Sequence, residues 1–300
     1  VGLNYIDVYH RGSHQNLGDE VPRHFLQVLW RSTEPPAVSG SGRLQFAEWL
    51  TADAAPLLAR VYVNRVWKHH FGHGLVRTTD NFGLTGERPS HRELLDYLAA
   101  RFIAGGWSTK KLHRDILLSS AYRMSSRSHA AAATADPRND LLHHFPVRRL
   151  EAEAVRDAML AVSGALRTDL YGPSVVPHIS KYQDGRGKPK SGPLDGGGRR
   201  SIYIEVRRNF LTPLFLAFDY PLPISTIGAR GTSTVPSQAL ILLNNEFVLQ
   251  QASLWAARVA AAPGADPPAQ VRQLFRQAFG RTPEQWETDA ALAFLRNRRQ

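Results

Sequence analysis

The chain contains no cysteine. Within these 300 residues that excludes disulfides, thiolate zinc sites, iron–sulfur clusters, cysteine nucleophiles and covalently attached c-type haem. It does not fix a compartment, because a protein large enough to bury a core can be exported without disulfides. Long apolar runs are missing too. The densest patch, 211–218, falls far short of the roughly 18 apolar residues of a membrane-spanning helix. Lysine is scarce, with arginine outnumbering it 31 to 6. The basic pairs (Arg148-Arg149, Arg199-Arg200, Arg207-Arg208, Arg298-Arg299) are scattered rather than massed, which argues against a nucleic-acid footprint. The start, "VGLNYIDVYHRG", has neither an initiator methionine nor a basic-then-apolar leader, so the expectation is a fragment of a longer protein.

What is present is a core-forming composition, 43% apolar with a net charge of +11. Such a surface can attract nucleic acid, anionic lipid or acidic polysaccharide. Apolar spacing predicts a mainly α fold with a few short β-strands, an irregular multi-helix domain with long loops, formed by residues 1–300 as one domain. A strand is expected at 5–8. A short helix at 43–51 would turn Leu44, Ala47 and Leu50 to one side. Pro56 suits the first turn of the next helix, Gly72 its end, and Leu57, Leu58, Val61, Tyr62, Val66 and Phe71 its buried face. Ser90 and Glu93 have capping-box spacing before a stripe of Leu94, Leu95, Leu98, Phe102 and Ile103. A helix opens at Ser108 and another ends at Gly164. The glycine-rich stretch 183–200 is expected to be a flexible loop. Residues 201–206, "SIYIEV", alternate like a strand. Helices follow at 236–243 and 245–261, and 266–300 forms a terminal helix pair.

Long ordered stretches carry a family resemblance: "GDEVPRHFLQVL", "ARVYVNRVWKHHFGHGLVRTTDNFGLTGERPSHRELLDYLAARF", "GWSTKKLHRDILLSSAYRMSS", "FPVRRLEAEAVRDAMLAVSG", "YGPSV", "SIYIEVRRN" and "STVPSQALILLNN". Together they resemble the planctomycete-type PSD domain, a domain of unknown function at the C-terminal end of large cytochrome-c-associated proteins. The resemblance implies a C-terminal fragment, an exported, periplasmic or cell-envelope setting, and upstream domains of the same polypeptide as partners. Any haem would lie in those upstream domains, with no cofactor inside this chain. It supplies no reaction and no catalytic residues.

Candidate sites come from the residues themselves. His69 and His73 stand four apart and could share a metal with Asp80 or His91, but Gly72 ends the helix between them. Histidines in a last helical turn are otherwise explained by its exposed carbonyls and dipole. Asn64 and Arg65 interrupt an apolar helix. Asn64, Arg77 and Asp80 are read first as an anchor to the "RTTDNFG" segment and second as a ligand pocket. Arg207, Arg208 and Asn209, after the expected strand, are the leading binding candidates for a carboxylate, sulfate or phosphate group, against an internal ion-pair cluster with Asp219. No G-x-S-x-G pattern supports a serine hydrolase. Glu151 and Glu153, two apart on a helix, are expected to point in different directions. The resulting expectation is an accessory module that binds acidic polysaccharide, leaning away from an enzyme. The alternative is a metal-assisted hydrolase around His69, His73 and Asp80, or a redox-associated domain.

Overall fold

A computed structural model describes residues 6–30, 32, 34, 36, 40–262, 264 and 266–297. Among the described residues the chain is mainly α, with eleven α-helices and a single two-stranded sheet. It divides into two compact units, residues 1–148 and 149–300.

The first unit opens with β1 (Ile6–Tyr9) paired antiparallel to β2 (Leu17–Val21), so the expected strand forms, one residue later; Tyr5 lies outside the described residues. Then come α1 (Arg43–Thr51), α2 (Ala55–Phe71), α3 (Arg92–Ala104), α4 (Thr109–Leu117) and the short α5 (Ala130–Ala135). Pro56 sits in the first turn of α2, where its missing N–H is not needed, and Gly72 ends the helix at φ +84°. Ser108 caps α4 by accepting from the Lys111 N–H. The core is where α2 and α3 face one another: Ala59, Val63, Trp67 and Phe71 against Leu95, Leu98 and Phe102, closed by Leu112 and Ile116 of α4.

Three expectations are corrected here. The buried stripe of α2 is 59, 63, 66–67 and 71, so Tyr62 is exposed and Leu57, Leu58 and Val61 are half-buried. Alanine at 59 and the wide indole of Trp67 let α3 pack on that face. In α1 the buried side chain is Trp49, stacked on Phe25 at 4.9 Å between ring centroids, whereas Leu44 and Ala47 face solvent. Ser90 does not cap α3; its N–H and hydroxyl both donate to the Leu75 carbonyl, and His91 occupies the cap position.

The second unit contains α6 (Ala152–Ser163), α7 (Pro213–Ala217), α8 (Pro236–Asn244), α9 (Glu246–Ala260), α10 (Pro267–Phe279) and α11 (Gln285–Asn297). The expected terminal helix pair is α10 and α11, and residues 298–300 lie outside the described part. Ala152 and Leu160 of α6 meet Leu214, Phe215 and Phe218 around α7 and Phe247 of α9. Gly164 ends α6 with φ +81°. The expected strand at 201–206 is instead a 3-10 turn, Ser201–Tyr203, followed by one isolated bridge between Val175 and Ile204. Alternation alone cannot make a strand without a neighbour to complete its ladder. The glycine-rich stretch also departs from a solvated loop in its second half. A Cβ on Gly192 would lie 1.9 Å from the Val176 carbonyl oxygen, and one on Gly198 2.4 Å from that of Ala165. These glycines serve close backbone packing, not openness.

Candidate functional site

In the first unit Asn64 and Arg77 are engaged by the fold, while His69 and Asp80 are exposed. Asn64 is fully buried, and its amide closes a two-bond clasp on one residue: Nδ2 donates to the Val76 carbonyl at 2.9 Å, and Oδ1 accepts the Val76 N–H at 2.8 Å. Gly74 makes room for that clasp, since a Cβ there would stand 2.6 Å from Asn64 Oδ1. Arg77 turns to Asp140, with Nη2–Oδ1 at 2.5 Å, and to the Arg138 carbonyl. That bond, with Arg138 alongside, holds the Asp140 carboxyl below the usual carboxylate range. Asp80 is exposed. Asn64 is therefore an anchor into the loop after α2, and Arg77 is committed to Asp140.

The histidines divide in an unforeseen way. His69 is exposed at the end of α2, and among the described residues no three His, Asp or Glu side chains gather where one ion could be held. The set His69, His73 and Asp80 is thus not assembled, because the left-handed Gly72 redirects the chain before His73. His73 is half-buried, and burial with Arg77 nearby lowers its pKa. The pair that does form is His70 with His113 of α4, Nε2 to Nδ1 at 2.7 Å, flanked by the edge of Tyr122. Burial first, then the charges of His113, Arg148 and His69, lower the His70 pKa. Forty-three residues separate the two rings, so spacing could not reveal them.

The second unit holds the open chemistry. A cleft of about 720 Å³ runs along α6, lined by Glu151, Glu153 and Asp157 on one side and by Arg200, Ser201 and Glu205 on the other. Ala154, Ala158 and Ala161 keep the α6 wall low, while Ile202, Val206 and Tyr220 add apolar surface. Each carboxylate has a cationic partner. Arg230 grips Glu153 with two bonds, 2.7 and 2.9 Å, and reaches Glu151 at 3.2 Å. Asp157 Oδ1 accepts both the N–H and the hydroxyl of Ser201 at 2.7 Å, with Arg200 at 3.8 Å from its other oxygen. Glu205 pairs with Arg207 at 2.9 Å. Glu151 and Glu153 thus converge on one guanidinium despite their spacing. Glu151 is the N-cap, with ψ 155°, so the 100° helical step does not apply to it.

Of the leading candidates, Arg207 is paired at the cleft edge, while Arg208 and Asn209 are exposed with no side-chain partner among the described residues. The suspected cluster with Asp219 does not include them. Asp219 belongs to Arg149 and to the N–H and hydroxyl of Ser233, and those bonds take its pKa down to about 2.

The model of the PSD1 family, described as a protein of unknown function (DUF1553), matches residues 42–295. The chain belongs to this family. The PSD1 match runs through both units and includes every residue lining the cleft. No curated protein and no solved structure matches the chain. No helix among the described residues is long and apolar enough to cross a membrane.

Proposed function

We propose that the chain is an accessory, ligand-binding module of a larger exported or envelope protein, and that the α6 cleft holds a stretch of acidic polysaccharide. The lining of the cleft carries this reading. Its volume of about 720 Å³ suits a small-molecule or oligomer subsite. Its charges come as carboxylate–arginine pairs beside Ile202, Val206 and Tyr220. A sugar ring offers hydroxyls all round and C–H faces above and below. Paired carboxylates accept hydroxyl hydrogens through charge-assisted bonds, and an apolar wall with a tyrosine takes the C–H face. The four carboxylates repel acid groups, so the uncharged part of each sugar occupies the cleft. The acid groups turn outward to Arg200, Arg207 and Arg208 at the rim, and the net charge of +11 draws such a chain in.

Calorimetric titration with a uronic-acid oligosaccharide and its neutral counterpart tests this. Binding is expected without added metal, tighter for the acidic chain, and weakened by salt. The double variant Arg207→Ala/Arg208→Ala weakens it about tenfold, some 1.4 kcal/mol. Unaltered affinity in that variant, with the fold intact, contradicts the rim assignment.

A further inference from the structure

We infer that the second unit carries another site, a pocket for a small oxyanion (a carboxylate, sulfate or phosphate group) built on the buried guanidinium of Arg156. Arg156 lies on α6, one residue before Asp157, and lines a cavity of about 300 Å³. The residue is 4% exposed. Burying an arginine is costly unless an anion meets it. The shorter contacts of Arg156 are to neutral acceptors, with the Phe247 ring 5.5 Å from the guanidinium carbon. Nη1 donates to the Arg199 carbonyl at 3.0 Å and to Ser201 Oγ at 3.1 Å, and Nη2 donates to the Asp195 carbonyl at 2.6 Å. Its one ion pair is a long one, Nη1 to Asp157 Oδ1 at 3.5 Å, and that oxygen also accepts both the N–H and the hydroxyl of Ser201 at 2.7 Å.

A guanidinium has five N–H donors. Three of those on Arg156 are matched, so Nε–H and one Nη2 hydrogen have no protein acceptor among the described residues. Burial lowers the Arg156 pKa, with the carboxylates of Asp157 and Asp195 acting in the opposite direction. His178, Ser180 and Asn244 also line the cavity, and α9 begins there; Asn245 Oδ1 already accepts the Phe247 and Val248 N–H groups, so the 15-residue helix contributes its dipole. Glu246 is its one carboxylate, exposed on the first turn of α9. Two free donors on a planar fork, a helix start and a volume of this size fit one oxyanion group, either alone or at the end of a larger molecule.

The test uses the whole chain with labelled arginine side chains, following the Arg156 Nε–H resonance by NMR. Sodium sulfate, sodium phosphate and sodium acetate are titrated separately, with sodium chloride at matched ionic strength as the reference. A saturable shift with at least one oxyanion, without saturation in chloride, is expected. A dominant response to acetate assigns a carboxylate ligand, and one to sulfate or phosphate assigns a tetrahedral one. Absence of a saturable shift with all three, or an equal response to chloride, overturns the site. His178→Ala and Asn244→Ala leave the contacts of Arg156 intact and are expected to weaken binding about threefold or more; unchanged binding in both overturns the pocket. In Arg207→Ala/Arg208→Ala the shift persists if the site is separate from the cleft, and its loss moves the anion to the rim and refutes the assignment.

Discussion

The two units each bury a polar side chain of a helix, with opposite results. In the first, Asn64 on α2 has a partner for each half of its amide, both on Val76. In the second, Arg156 on α6 is nearly as buried, yet has more donors than acceptors and lines an open cavity. A buried polar residue is an anchor when the protein consumes its hydrogen-bonding capacity, and a site when some is left over beside space. The same distinction separates Arg77, committed to Asp140, from Arg208, exposed at the edge of a cleft.

That contrast can be broken by mutation. Asn64→Ala strands the Val76 N–H and carbonyl in the core and is expected to destabilise the first unit by about 2–5 kcal/mol, read as lost amide-exchange protection along α2. Full protection in that variant would show that the clasp is dispensable. Gly74→Ala pushes a methyl against Asn64 and the Val76 carbonyl and should cost about 1–3 kcal/mol, measured the same way.

A smaller effect follows from the His70–His113 pair. The His70 pKa is lowered in the folded chain, so the unfolded chain takes up the proton first. Stability is complete above the ordinary value of 6.5 and falls as the pH drops through it. Urea midpoints between pH 7.5 and 5.5 should decline, with a shallower slope in His70→Gln; parallel slopes would remove the pair from the account. Smallest of all, Arg207→Ala/Arg208→Ala should alter stability by no more than about 0.5 kcal/mol, because both side chains are exposed. A larger loss would make those arginines structural, like Arg77.

Local signals in the sequence proved readable where the cause is local. Pro56, Gly72, Ser108 and Gly164 mark helix ends by backbone conformation or capping, and each sits where expected. The mainly α class followed from the same spacing. Faces were harder, because the buried side of α2 depends on what packs against it: Ala59 and Trp67 become core through α3, not through their own periodicity. The site was partly legible. Arg207–Asn209, chosen for following an expected strand, follow a cleft-lining segment that is not a strand, and Arg156, Asp157 and Arg230 drew no notice. Their partners are 39 to 77 residues away in the chain, and a single arginine on a helix resembles any solvated charge. Glu151 and Glu153 were dismissed by a helical rule that fails at an N-cap.

The most direct test of the ligand-binding account is amide hydrogen exchange on the whole chain, with and without a uronic-acid oligosaccharide. Added protection confined to peptides covering 151–161 and 200–212 is the predicted result, with α2 and α3 unchanged. Protection centred on the first unit, or none at saturating ligand, would contradict it.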